Sequence, residues 1–232
     1  MRDEILGRIR SALKENGRTT NHHEVQGAAV SSRAVAKAAP GADSAGSEAL
    51  ISRFEAELRS VGGNFFRAPS KQAALQHILD LAASIQAKSA VGWDCEVIGE
   101  LGLVAAFEKS GIAFTVDSGG DDFRQKAINA GLGVSGVDYA LADTGSLVVL
   151  SGPGHARSAS LVPPIHVALV KAEEVLGDLN DLFPLLKARG ALSSAIAFIT
   201  GPSRTADIEM TLVVGVHGPQ QLHVVLLDGN TE

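Results

Sequence analysis

The chain has 232 residues, a formal net charge of −6 at pH 7 and one cysteine, Cys95. That length predicts a single domain with an appendage, and the cysteine count excludes an intramolecular disulfide, an iron–sulfur cluster or a cysteine-rich zinc site held by this chain alone. Hydrophobic residues make up 45% and aromatics only 4%, so the core is built from Ala, Val, Leu and Ile, and no cluster of Lys and Arg marks a nucleic-acid surface.

Residues 3–14 carry Ile5, Leu6, Ile9 and Leu13 on one helical face. Residues 16–46 lose all periodicity and are rich in Ala, Ser and Gly, which predicts a flexible linker. The two together give an N-terminal appendage over 1–46 and an α/β domain over 47–232. The N-terminus lacks the apolar core of a secretory signal, and no apolar run approaches the ~20 residues of a membrane span. The expected location is therefore the cytoplasm.

The domain begins with Ser47 as a candidate N-cap, followed by a stripe of Leu50, Ile51, Phe54 and Leu58 that stops at Gly62-Gly63. Ser70 is placed to cap a second helix carrying Leu75, Ile78, Leu79 and Ile85. Ala90–Trp93 and Ile112–Val116 read as buried strands, with a weak helix over 96–109 broken at Gly102 and another helix over 121–130. Cys95 sits at a strand end and reads as an inert, half-buried thiol. Val137–Ala142 and Leu147–Leu150 flank a turn and fit an antiparallel hairpin. Ile165–Val170 and Ala195–Thr200 are buried strands. Leu179–Ala188 is helical provided that Pro184 falls close to its start or at a kink. Thr211–Gly215 and Leu222–Leu227 close the chain as strands. Helices and strands alternate in the first half, so the predicted fold is α/β, a mixed but mostly parallel sheet with helices on both faces.

Two polar turns at strand ends are the candidate ligand sites. In the first, Asp143, Thr144 and Ser146 surround Gly145, either to stabilise the turn itself or to face an anion. In the second, Gly201–Asp207, Ser203 or Thr205 is placed to cap a short helix at the sheet's carboxyl edge, with Arg204 adding positive charge and Asp207 closing the turn. Between them lies the glycine-rich loop Ser151–Ser158. Its Arg157 either forks onto a carboxylate or phosphate or is a solvated loop charge. His166 opens an apolar strand, where it is either a packed residue with one satisfied nitrogen or a catalytic group, and His217 sits in a Gly-x-His-Gly-Pro stretch, while Glu209 lies two residues beyond Asp207, too loose a spacing for a carboxylate pair. No metal-ligand spacing such as HExxH is present, so no metal site is assigned.

The run DYALADTGSLVVLSGPGHARSASLVPPIHVALV, followed by AFITGPSRTADIEMTLVVGVHGPQQLHVVLL, resembles the lactate-utilisation protein C family, whose shared unit is the LUD domain. The family's acidic Thr-Gly turn maps onto Ala142–Ser146, its arginine and Pro-x-x-His stretch onto Arg157 and Pro163 with His166, and its Gly-Pro-Ser-x-Thr-x-Asp-Ile-Glu onto Gly201–Glu209. Its Gly-x-His-Gly-Pro maps onto Gly215–Pro219. The resemblance implies the NagB/RpiA/CoA transferase-like fold. It also implies a multiprotein system that oxidises L-lactate to pyruvate, with iron–sulfur clusters carried by partner subunits and no cofactor held by this chain alone. In that system the resemblance makes His166 or His217 the candidate proton acceptor from the substrate hydroxyl. A freestanding enzyme acting on CoA esters, phosphosugars or folates, in which likeness to CoA transferases makes Glu209 the candidate nucleophile, and a non-catalytic scaffold subunit, are the alternatives. A homo-oligomer is compatible with either.

Overall fold

Six strands form a wholly parallel sheet in the order β1 (Asn64–Ala68), β12 (Gln221–Leu227), β7 (Ile165–Lys171), β4 (Leu132–Gly136), β2 (Ser89–Gly92) and β3 (Ala113–Val116). A computed structural model describes residues 44–119, 122–190, 193–206, 212–215 and 217–228, all within one compact unit, Lys37–Glu232. The helix and linker expected over 1–46 lie outside the described residues up to residue 43.

The central strands carry apolar residues toward both sheet faces because both faces are covered. Val167 and Leu169 of β7, Leu132 and Val134 of β4, and Val225 and Leu227 of β12 point to one face. There they meet Ala74, Ile78 and Ala82 of α2 (Lys71–Ser84), Leu103 and Phe107 of α4 (Leu103–Lys109), and Phe123 and Ala127 of α5 (Asp122–Asn129). The alternate residues Ala168, Val170, Leu222, Val224 and Leu226 meet Phe54 and Leu58 of α1 (Ser44–Ser60) on the opposite face.

The same face also carries a second sheet of four strands, β8 (Val175–Leu176), β5 (Tyr139–Leu141), β6 (Ser146–Leu150) and β9 (Ile196–Ile199). Leu147 of β6 faces the main core, while Val148 and Leu150 face Leu182 and Leu186 of α7 (Leu179–Ala188). The antiparallel hairpin read from the sequence is β5–β6. The mixed character of the fold therefore resides in a separate sheet laid against the parallel one.

Local signals explain the element ends. Ser70 Oγ accepts from Ala73 N at 3.1 Å, capping α2. Asp178 does the same for α7 through Asn180 N at 2.6 Å, and the helix then runs through Pro184. Gly102, at φ +61°, divides 96–109 into α3 (Glu96–Glu100) and α4. Ser47 lies inside α1, which already begins by Ser44, so it is not an N-cap.

The carboxyl ends of β2 and β3 are closed by the chain itself. Asp94 N donates to Gly154 O at 2.9 Å, and Trp93 Nε1 donates to Ala156 O at 3.0 Å. Asp117 accepts from Ala156 N and Gly119 N, and the Trp93 and His155 rings stack 4.4 Å apart. The glycine-rich loop Ser151–Ser158 thus serves here as a cover packed on that edge. Among the described residues no helix is long and apolar enough to cross a membrane.

Candidate functional site

A cleft of about 400 Å³ opens at the amino ends of β7 and β12, a size ordinary for small-molecule sites. Three stretches far apart in sequence build it. They are Ser160 and Leu161 of α6 (Ser158–Leu161), the run Phe198–Arg204 that leaves β9, and His217–Pro219 leading into β12. His166 and Leu222, the second residues of β7 and β12, form its floor.

The second polar turn lies here because β9 belongs to the smaller sheet, so its end delivers Gly201–Arg204 to the amino edge of the parallel sheet. The expected carboxyl-edge position is wrong for that reason. The expected short helix is also absent: Arg204–Ala206 is strand β10, paired antiparallel with β11 (Leu212–Val214), with Thr205 opposite Val213. Ser203 N donates to Pro219 O, and Gly215 N donates to Ser203 O, both at 2.9 Å. These bonds clamp the Gly-Pro-Ser turn to the Gly-x-His-Gly-Pro turn. Arg204 Nη2 donates to Val61 O at 2.7 Å, which satisfies a carbonyl at the end of α1 and fixes the guanidinium at the cleft wall. Gly201 sits at φ +82°, and a Cβ there would lie 2.6 Å from the Val61 carbonyl oxygen, so this turn can dock on α1 only with glycine.

His166 has no solvent-exposed surface. Its Nε2 lies 2.8 Å from Ser135 Oγ of β4, also fully buried, and its Nδ1 has no hydrogen-bond partner among the described residues. Burial pulls the imidazole down from its ordinary 6.5 to about 4, so the ring is neutral at physiological pH. His217 lies exposed at the rim.

The first turn is not part of the cleft lining. Gly145, at φ +63°, is pressed against the backbone of Leu58 in α1, and Asp143 N donates to Gly177 O at 3.1 Å. Thr144 is exposed. This turn anchors the small sheet to α1. Only Ser146 reaches toward the cleft, its Oγ 2.7 Å from the Oγ1 of the lining residue Thr200. Arg157 is an exposed residue at the start of α6 and is also outside the lining. Asp207 and Glu209 lie outside the described residues. Cys95 is half-buried, and burial pushes its thiol above the ordinary range, which suits an unreactive role.

The sequence reading missed Ser135, Ser160 and Thr200. Each is an ordinary hydroxyl in an apolar run, and only the tertiary fold sets it beside the cleft. Among the described residues no group of three or more His, Cys, Asp or Glu side chains is placed to hold a metal ion.

The sequence profile of the LUD domain matches residues 51–227, most of the chain. The lactate utilization protein C of Halalkalibacterium halodurans is 34% identical over 148 residues, covering 62% of this chain and 64% of that relative, a little under two thirds of its length. The lactate utilization protein C of Shouchella clausii is 29% identical over 189 residues, covering 79% and 81%. The crystal structure of a DUF162 family protein from Deinococcus radiodurans superposes with a TM-score of 0.54 at 15% identity, covering 78% of this chain and 98% of that one. It shares the fold. From the profile match over 51–227, the chain belongs to the LUD-domain family.

Proposed function

We propose that the chain is a component of an L-lactate utilisation system, acting with iron–sulfur partner subunits and supplying the site for a small carboxylate. One observation carries this reading: His166, Ser203, Arg204 and His217, contributed by separate segments, meet at one cleft. The names carried by its relatives add the substrate class. Oxidising L-lactate to pyruvate removes two electrons and two protons. The electrons would pass to clusters on the partners, since the lone Cys95 cannot ligate a cluster by itself. In this reading the Arg204 guanidinium attracts the carboxylate, the hydroxyls of Ser203 and Thr200 orient it, and His217 at the rim accepts the hydroxyl proton, while the hydrogen on C2 leaves with the two electrons to a redox group on the partner subunits.

Reconstitution tests the proposal. The partner subunits are purified with and without this chain, and lactate-dependent reduction of an artificial electron acceptor is followed. The expected result is that turnover requires the chain and falls at least tenfold with Arg204→Ala while the complex still co-purifies. Full lactate oxidation by the partners alone would overturn it. So would a thermal shift of the isolated chain with CoA esters or sugar phosphates but not with pyruvate or lactate.

A further inference from the structure

The cleft, at about 400 Å³, is larger than a molecule of lactate. Lactate and pyruvate have six non-hydrogen atoms each. At about 30 Å³ per atom, the share of one water in the liquid, either fills less than half of the space, and roughly seven further atoms fit in what is left. The lining divides by chemistry. Thr200, Ser203, Arg204 and His217 bring polar groups, all from the end of β9 and the two clamped turns. Leu161 of α6, Ile199 of β9 and Leu222 of β12 bring apolar side chains, together with Pro202 and Pro219. Leu161 keeps 40% of its surface exposed, whereas Ala159 and Ser160 beside it in α6 are buried. A leucine exposed on the wall of a cleft is apolar surface that a ligand can remove from water.

From this geometry, and resting on the small-carboxylate reading of the cleft, we infer that the site takes 2-hydroxy and 2-oxo acids with a branched aliphatic or aromatic side chain, and holds them more tightly than lactate or pyruvate. Such an acid carries its carboxylate and 2-oxygen on one side of C2 and its side chain on the other, so it addresses both kinds of wall. Arg204, fixed by its bond to Val61 O, holds the carboxylate. Leu161 is the specificity-determining residue, and the side chain of the acid lies against it. The methyl group of lactate is too short to cover that wall. Burying one CH₂ completely tightens binding about fourfold, and a cleft open on one side yields about two- to threefold. An acid with three carbons more than pyruvate, such as 4-methyl-2-oxopentanoate, therefore gains about tenfold or more. The six-carbon ring of phenylpyruvate still fits the remaining space. A longer side chain reaches the mouth of the cleft and gains nothing further.

Calorimetric titration of the full chain with pyruvate, 4-methyl-2-oxopentanoate and phenylpyruvate reads the preference directly. The expected result is that both larger acids bind about tenfold more tightly than pyruvate, or better. Leu161→Ala should cut that ratio about threefold. Leu161→Trp, which fills the space, should abolish it. Both variants are compared at a melting temperature that shows them folded. Arg204→Ala should weaken all three acids together, because each offers the same carboxylate. Equal affinities for the three acids would overturn the inference and leave the lactate reading standing. A ratio that neither Leu161 variant changes would overturn it too, because the side chain would then lie against another surface. If the larger acids bind and pyruvate does not, the inference stands and the lactate reading fails. If none of the three binds, both fail.

Discussion

Arg204 shows how one side chain can serve both fold and site. Its guanidinium closes the end of α1 through Val61 O and is held at the wall of the cleft. Arg204→Lys keeps the charge but loses the planar fork. The expected outcome is weaker carboxylate binding by about tenfold, measured by calorimetric titration, with stability reduced by about 1 kcal/mol, the worth of one hydrogen bond. Gly201→Ala meets both a positive φ of +82° and the Val61 carbonyl. It should cost about 1–3 kcal/mol in urea unfolding, and a neutral effect would mean that the turn is not docked as described. His166 sets an acid limit. The unfolded chain takes up a proton as pH falls through 6.5, whereas the folded ring resists until about 4. Its contribution to stability is present above pH 6.5 and is lost between 6.5 and about 4, roughly 3 kcal/mol in all. His223, held at about 4 by burial and by neighbouring His77, adds to the same window. His166→Gln should flatten the decline, measured by denaturant unfolding across that pH range. An unaltered slope would mean that the ring is hydrated in the folded chain.

Among the elements, the corner Ala172–Glu174 that follows β7 has a pH dependence of the opposite sign. Glu174 Oε2 accepts from Lys171 N at 2.8 Å, and burial pushes its carboxyl up to about 8. Between pH 4.5 and about 8 the unfolded chain loses this proton while the folded chain keeps it, so stability falls as pH rises. Glu174→Gln should stabilise the protein by about 1–2 kcal/mol at pH 8.5, after discounting for partial exposure, and by almost nothing at pH 4.5. Melting temperatures at the two pH values check this, and an equal effect at both would contradict it. Several elements were legible in the sequence because their signals are local. The Ser70 cap, the Phe54–Leu58 stripe and the apolar run Val167–Val170 of β7 each answer to a short-range rule. β4 was not legible. Its five residues, Leu-Gly-Val-Ser-Gly, contain two glycines and a serine, and their burial comes entirely from the neighbouring strands β2 and β7. The division into two sheets was hidden for a related reason: β5 pairs with β8 and β6 with β9, and such long-range pairing leaves no mark on composition.

For the molecule as a whole, the two ends of the parallel sheet have different fates. The carboxyl edge at β2 and β3 is filled by the loop carrying His155, stacked on Trp93, and the amino edge at β7 and β12 is left open as the cleft. Trp93→Ala should therefore cost about 3–5 kcal/mol, the usual loss on truncating a buried tryptophan, with little effect on ligand affinity. Of the residues singled out in the sequence, Ser203, Arg204, His166 and His217 line the cleft, but the second turn lies at the amino edge of the sheet and not at the expected carboxyl edge. The Asp143–Ser146 turn was the other candidate, and its glycine is needed for packing on α1. A polar turn with glycine has the same composition in either role, and only its neighbours separate the two. The most direct measurement is a titration of the ¹⁵N-labelled chain with pyruvate, followed through its backbone amide shifts. The account predicts that the largest changes fall on Ser160–Leu161, Gly201–Arg204 and Gly218, around the cleft. Changes concentrated on Trp93–Cys95 and Gly152–His155 would place the site at the opposite edge of the sheet and contradict it.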